Sequence, residues 1–221
     1  MRRSPPSRYK TRAGLEGQFE PGSRRHVLRN PLGIRNKRQM DQAEHDALLS
    51  VQLAYVKKCT PETRFTAALI CRMHRDWLGG IYEWAGRYRT VELSKGGFQW
   101  SPAYRIAQNM KALEVGALRR CTPCRPGPVH EAACRIAEVH GELLLIHPFR
   151  EGNGRLARWV ADLMALQASL PLPDYGFTGR KGRARRQRYL QAVKKSYLGD
   201  LAPLRAFFED ALRRRRGLKE D

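Results

Sequence analysis

Acidic residues are scarce in this chain: 21 Asp and Glu stand against 42 Lys and Arg in 221 residues, a formal net charge of +21. That excess argues against an acidic or charge-balanced surface and points to an anionic partner, whether nucleic acid, an acidic protein surface or lipid headgroups, with a solvated basic face as the plain alternative. Cysteine is also sparse, and its count of five is odd, which excludes a fully paired disulfide framework and fits a reducing compartment. Long apolar runs are missing. No stretch would span a bilayer and no apolar signal-peptide core follows Arg2-Arg3, so a cytoplasmic location without a membrane span is the expectation. The hydrophobic fraction of 42% suits one sizeable domain with basic extensions. The expected division is a loosely docked basic segment over 1–25, a domain over 26–212 and a basic tail over 213–221.

What the chain does carry is concentrated in His147-Pro148-Phe149-Arg150-Glu151-Gly152-Asn153-Gly154-Arg155-Leu156-Ala157-Arg158. Pro148 lacks a backbone donor and disfavours the α region for His147, so the apolar helix ending at Ile146 should stop there. Helical spacing resumes with Leu156, Trp159, Val160, Leu163 and Met164. Gly152, Asn153 and Gly154 therefore form a turn at a helix N-terminus, where converging N–H groups and the helix dipole suit a phosphate. Arg155 and Arg158 are three residues apart, share a helix face and can both reach a polyphosphate. Glu151 offers a hard oxygen ligand for Mg²⁺, and His147 an imidazole that can accept a proton near neutral pH. A base, a metal carboxylate, a phosphate nest and two arginines describe nucleotidyl or phosphoryl transfer.

This stretch resembles the signature of Fic-domain proteins, His-Pro-Phe-x-(Asp/Glu)-Gly-Asn-Gly-Arg-x-x-Arg, and fills every defined position. The resemblance implies an all-α domain with a small β-hairpin flap beside the active-site loop. It implies transfer of AMP from ATP to a Ser, Thr or Tyr hydroxyl of a target protein, assisted by Mg²⁺ or Mn²⁺. By position, His147 becomes the base, Glu151 the metal ligand, Gly152 to Gly154 the phosphate cradle and Phe149 the loop's anchor. Arg155 then meets the leaving pyrophosphate portion and Arg158 the γ-phosphate. Tyr189 is the candidate for the adenine pocket, with core packing as its other reading. Val91, Glu92, Leu93, Ser94, Lys95 and Gly96 are the flap that would pair with the target backbone. Alternatives are transfer of UMP or a phosphoryl group by the same fold, or an inactive basic nucleic-acid-binding module. Relatives that transfer the γ-phosphate usually lack the second glycine, which is present here.

Many Fic proteins silence themselves through (Ser/Thr)-x-x-x-Glu-(Gly/Asn), whose glutamate pairs with the second arginine. Here Glu16-Gly17 is the similar pair outside the motif, but Arg12 stands where Ser or Thr belongs. Either Glu16 acts in a degenerate form, or a separate small antitoxin-like chain supplies the glutamate.

Along the rest of the chain a helical stripe runs from about Lys37 to Lys58. Thr60-Pro61-Glu62 reads as the cap of a helix that Gly79-Gly80 ends. Tyr88 to Leu93 and Phe98 to Trp100 read as a hairpin around Lys95-Gly96-Gly97. Cys121, Cys124, His130 and Cys134 raise the question of zinc, but the pairs are spaced tightly for it and free thiols are expected. His140, one helical face from His147, reads as a satisfied core histidine. The run from Arg180 to Arg188 leads into a further helix, and Leu201 to Leu212 into a last one.

Overall fold

The computed structural model describes residues 15–215, so the expected basic extension up to residue 14 and the tail from residue 216 lie outside it. In chain order it holds α1 (Lys37–Lys58), α2 (Ala67–Leu78), β1 (Ser94–Lys95), β2 (Phe98–Gln99), α3 (Ile106–Leu113), α4 (Val129–Ile146), α5 (Asn153–Gln167), α6 (Gly182–Ser196) and α7 (Ala202–Arg215). Beyond Leu113, α3 runs on through a π turn, Glu114–Leu118, into Arg119–Cys121. The irregularity sits at Gly116, whose φ and ψ of −94° and −106° are not helical. The described residues divide into two compact units, one of 15–57, 67–110 and 146–153, the other of 58–66, 111–145 and 154–215.

In the first unit Asn36 opens α1. Its side-chain oxygen accepts the N–H groups of Arg38 and Gln39, the standard remedy for uncapped donors. The helix buries Met40, Leu48 and Tyr55, and with them Glu44, which the apolar stripe does not announce. Glu44 is satisfied rather than stranded: its carboxylate accepts the Tyr82 hydroxyl at 2.6 Å and its carbonyl the Trp77 indole at 2.8 Å. Helix α2 buries Ile70, Met73, His74, Trp77 and Leu78 and ends at Gly79-Gly80 as expected. Its start differs from the expectation. Thr60-Pro61-Glu62 is a turn, closed by Thr63 N–H on the Thr60 carbonyl and Thr60 N–H on the Thr63 hydroxyl, and the helix begins only at Ala67.

The hairpin is shorter than its pattern. Ser94 pairs with Gln99 and Lys95 with Phe98, and Trp100 N–H extends the ladder to the Leu93 carbonyl. Gly96 and Gly97, with φ of 56° and 81°, supply the two left-handed positions that a primed two-residue turn requires. Tyr88 to Leu93 is not a strand. Ahead of α1, the described part of the segment expected to be loosely docked makes regular contacts. Glu20 N–H donates to Val27 O, Arg29 N–H to Gln18 O, and Phe19 bridges Leu28.

Among the described residues the second unit has only helices as its regular elements. It buries Ile136, Ala137 and His140 on α4, Leu156, Trp159, Val160, Leu163 and Met164 on α5, and Leu204, Phe208 and Leu212 on α7. Gln167 fastens its loops: the amide donates to the carbonyls of Thr63 and Thr60 and accepts the Cys124 N–H. All five cysteines are free thiols, and His130 is exposed. Burial and the Glu138 carboxylate push the Cys121 thiol up to about 12, so it rests as a neutral thiol. No helix among the described residues is long and apolar enough to cross a membrane.

Candidate active site

The motif begins where α4 stops. His147 leaves the helix with a left-handed φ of 53°, and the loop is then pinned from three sides within the first unit. Arg89, 2% exposed, donates its Nε to the His147 carbonyl at 2.8 Å, and its backbone N–H to the Pro148 carbonyl at 2.8 Å. The other guanidinium nitrogens of Arg89 serve the carbonyls of Val91 and Ser101. One side chain thus joins the catalytic loop to both ends of the hairpin. Trp100 stacks on the His147 ring at 4.2 Å between centroids, which fixes the plane of the imidazole.

The second pin is His74, fully buried on α2. Its Nδ1 accepts the Gly86 N–H, so its Nε2 carries the hydrogen and donates it to the Glu151 carbonyl at 3.1 Å. The same ring stacks face to face on Phe149 at 3.9 Å, and Phe149 is fully buried as the loop's anchor. The third pin is Asn153. Its side chain accepts the Phe149 N–H at 2.9 Å and donates to the Phe149 carbonyl at 2.6 Å. That side chain therefore shapes the loop, and only the backbone of Asn153 faces the turn as a phosphate donor would. Arg150, also buried, donates its Nε to the carbonyl of Glu16.

Glu151 is half-buried beside this turn and accepts the Gly152 N–H. Gly152 has φ of 85°, and a Cβ there would come within 2.8 Å of the Trp77 ring, so the position tolerates no side chain. Among the described residues no cluster of three or more His, Cys, Asp or Glu is poised for a metal. A lone carboxylate still fits Mg²⁺, which takes most of its oxygens from water and substrate phosphates rather than from an all-protein cage. Helix α5 opens at Asn153, and its first-turn N–H groups have no intrahelical acceptor.

On α5, within the second unit, Arg155 and Arg158 are both half-buried. The Arg158 guanidinium lies over Tyr175 and Phe177, and its charge acts on the Tyr189 hydroxyl, which burial otherwise pushes up in pKa. Tyr189 itself is 3% exposed, packed against Phe177 and Phe207, and its hydroxyl donates to His140 Nε2 at 2.8 Å. The structure thus places it beneath Arg158, and the adenine-lining role implied for its ring meets a residue that is almost wholly enclosed. His140 donates its Nδ1 hydrogen to the Ala157 carbonyl, and burial lowers its pKa to about 3, which makes it a neutral core histidine.

Of the expected flap residues, Val91 and Leu93 are buried with Trp100 in a small core against which Phe98 packs. The Glu92 carboxylate accepts the Ala103 N–H, Ser94 is half-buried, and Lys95 and Gly96 are exposed at the hairpin tip. Arg89, His74, Trp100 and the Asp162–Tyr175 pair escape a reading of the sequence as site residues. The carbonyl that the Arg89 Nε serves lies 58 residues away, and nothing in the immediate neighbours of Arg89 marks it.

Comparison with known proteins agrees with this geometry. Residues 64–165 match the family model described as the Fic/DOC family. The probable protein adenylyltransferase Fic of Salmonella typhimurium is 29% identical over 205 residues, covering 90% of this chain and 93% of that protein. The probable protein adenylyltransferase y4lH of Sinorhizobium fredii is 28% identical, covering 84% and 90%. The crystal structure of the BepC protein of Bartonella tribocorum with bound AMPPNP superposes with a TM-score of 0.69 at 21% identity, covering 89% and 96%, and shows the same mostly helical fold. With helix α2, the hairpin, the pinned loop and most of α5 inside the matched span, this chain carries a Fic/DOC-family domain.

Proposed function

We propose that the chain is a protein adenylyltransferase, moving AMP from ATP onto a Ser, Thr or Tyr hydroxyl of a target protein and releasing pyrophosphate. The observation that carries the reading is the pinned loop. His147, Glu151 and the start of α5 stand in fixed order, in a chain that matches relatives named protein adenylyltransferase over about nine-tenths of its length. His147 takes the hydroxyl proton as the oxygen attacks the α-phosphorus, and the bond to the pyrophosphate oxygen breaks. The backbone of Gly152 to Gly154 with Arg155 and Arg158 holds the negative charge that moves onto the leaving group. Mg²⁺ on Glu151 would offset phosphate repulsion there. The exposed tip of the hairpin, Lys95 and Gly96, is where a target segment would pair.

We also propose that inhibition comes from a separate small chain rather than from Glu16. The Glu16 carboxylate is already engaged by Thr90, accepting its N–H at 3.2 Å and its hydroxyl at 3.1 Å.

The test is incubation of the purified chain and a lysate with α-labelled or γ-labelled ATP and Mg²⁺. Protein label from the α position alone is the expected result. Label from γ alone would replace the reading with a kinase, and no label from either would leave an inactive basic module.

A further inference from the structure

Arg158 has more built around it than a solvent-facing arginine needs. Its guanidinium carbon lies 5.9 Å from the centre of the Tyr175 ring and 5.6 Å from that of Phe177. Its main-chain carbonyl accepts the Tyr175 hydroxyl at 3.1 Å, and that hydroxyl also meets Asp162 Oδ1 at 2.8 Å. A carbonyl can only accept, and a tyrosine has one hydrogen to give. That one hydrogen is shared, donated to the Asp162 carboxylate at the shorter distance and to the Arg158 carbonyl at the longer.

The second tyrosine works on the other end of the same residue. The Ala157 carbonyl fixes the hydrogen of His140 on Nδ1, so Nε2 must accept, and the Tyr189 hydroxyl donates to it. That leaves the lone pairs of the Tyr189 oxygen facing a cation, and Arg158 is the cation whose side chain acts on that hydroxyl. Every group in the two relays has a partner of the right polarity. Tyr175 meets the backbone and underside of Arg158, and the oxygen of Tyr189 acts on the same side chain.

We propose that Tyr175 and Tyr189, backed by Asp162 and His140, are positioning residues that hold the Arg158 guanidinium in one orientation for the terminal phosphate of the nucleotide. The adenylyltransferase reading supplies only the identity of that anion. An arginine that grips a phosphate loses much of its rotamer freedom at that moment, and a guanidinium oriented beforehand has less left to lose. Its fork also matches phosphate oxygens only in a narrow range of planes. Ordinary packing would explain a buried Tyr189 and a half-buried Tyr175, but it does not require both hydroxyls to be oriented by a partner of their own beside one arginine.

The experiment compares affinity for ATP and for AMP in the full chain, using calorimetry on the unmutated protein, Tyr189→Phe, Tyr175→Phe, Arg158→Ala and each tyrosine change combined with Arg158→Ala. Phenylalanine keeps the ring and its volume, and melting curves verify that each variant is folded. Each single Tyr→Phe change should weaken ATP roughly tenfold, the usual scale for one hydrogen bond to a charged group, and leave AMP unchanged. In the Arg158→Ala background neither should cost anything more. Equal losses in both backgrounds would mean packing and would overturn the inference, as would full ATP affinity in the single variants.

If Arg158→Ala itself binds ATP normally, the nucleotide reading falls instead. Positioning is then judged on the nucleotide-free chain, by NMR exchange of the Arg158 Nε hydrogen. It should be slow in the unmutated protein and fast in Tyr189→Phe. Unchanged exchange would overturn the inference by itself.

Discussion

His147 holds a φ of 53°, a left-handed backbone that costs a residue other than glycine on the order of 1–3 kcal/mol and persists only when its surroundings insist on it. The insistence comes from Arg89 on its carbonyl, Trp100 on its ring and Pro148 after it. This arrangement holds the imidazole without involving the Gly152 to Gly154 turn, so the proposed base and the proposed phosphate cradle are separable. His147→Ala should leave ATP affinity nearly intact while label transfer falls about 10²–10⁴-fold, the range for loss of a general base. Transfer at the unmutated rate in that variant would end the mechanism. The residues of the loop were legible in the sequence because the chemistry lies on twelve consecutive positions. Their supports were not. His74 reaches Glu151 across 77 residues and Arg89 reaches His147 across 58, distances over which a single sequence says nothing.

Elements were legible where the backbone decides and misread where a distant side chain does. Gly79-Gly80 ends α2 and Pro148 ends α4 through their own conformational limits. Thr60-Pro61-Glu62 obeys the rules of a helix start and is still a turn, because Gln167 from α5 takes the carbonyls of Thr60 and Thr63 that a helix would have used internally. Tyr88 to Leu93 alternates like a strand, yet the Arg89 guanidinium takes the Val91 carbonyl that a ladder would need. Helix α5 has a consequence of its own, since two groups near Arg158, the half-buried Asp162 and the buried His140, are shifted in opposite senses. Burial raises Asp162 from 3.8 to about 7, so the folded chain holds a proton there that the unfolded chain has lost, and stability declines as pH rises from about 4 to 7. His140, lowered from 6.5 to about 3, withholds a proton that the unfolded chain binds, and stability declines as pH falls from about 6.5 to 3. The two slopes oppose each other where they overlap, which hides both in the unmutated protein. Asp162→Asn removes one. Its stability relative to the unmutated chain should therefore improve between pH 4 and 7, by at most about 1.4 kcal/mol per pH unit. Urea unfolding at several pH values measures this, and a difference independent of pH would show that Asp162 titrates like an exposed carboxylate.

Over the whole molecule the charge is uneven as well as large. No acidic residue stands between Asp174 and Asp200, and Arg183, Arg186, Arg188, Lys194 and Lys195 are exposed along α6. Such a face favours an acidic partner and weakens contact with it steeply as salt is added. The few carboxylates are spent on structure. Glu44 receives Tyr82, Glu92 receives Ala103, and Glu16 receives Thr90 while its carbonyl receives the motif's own Arg150. Glu16 thus ties the segment ahead of α1 to the catalytic loop and to the approach of the hairpin, all within the first unit. An inhibitory glutamate must instead give its carboxylate to Arg158, and a carboxylate in use at Thr90 would first have to give up both of its contacts there. The isolated chain should therefore label targets without any release step. Glu16→Gly should lower its melting temperature and leave labelling equal or reduced, because it removes the carboxylate that holds Thr90 and leaves the carbonyl that receives Arg150 in place. Labelling assays on the full chain, with melting curves recorded beside them, decide the matter. A strong rise in labelling on Glu16→Gly would show that Glu16 restrains the enzyme and that no second chain is needed to do so.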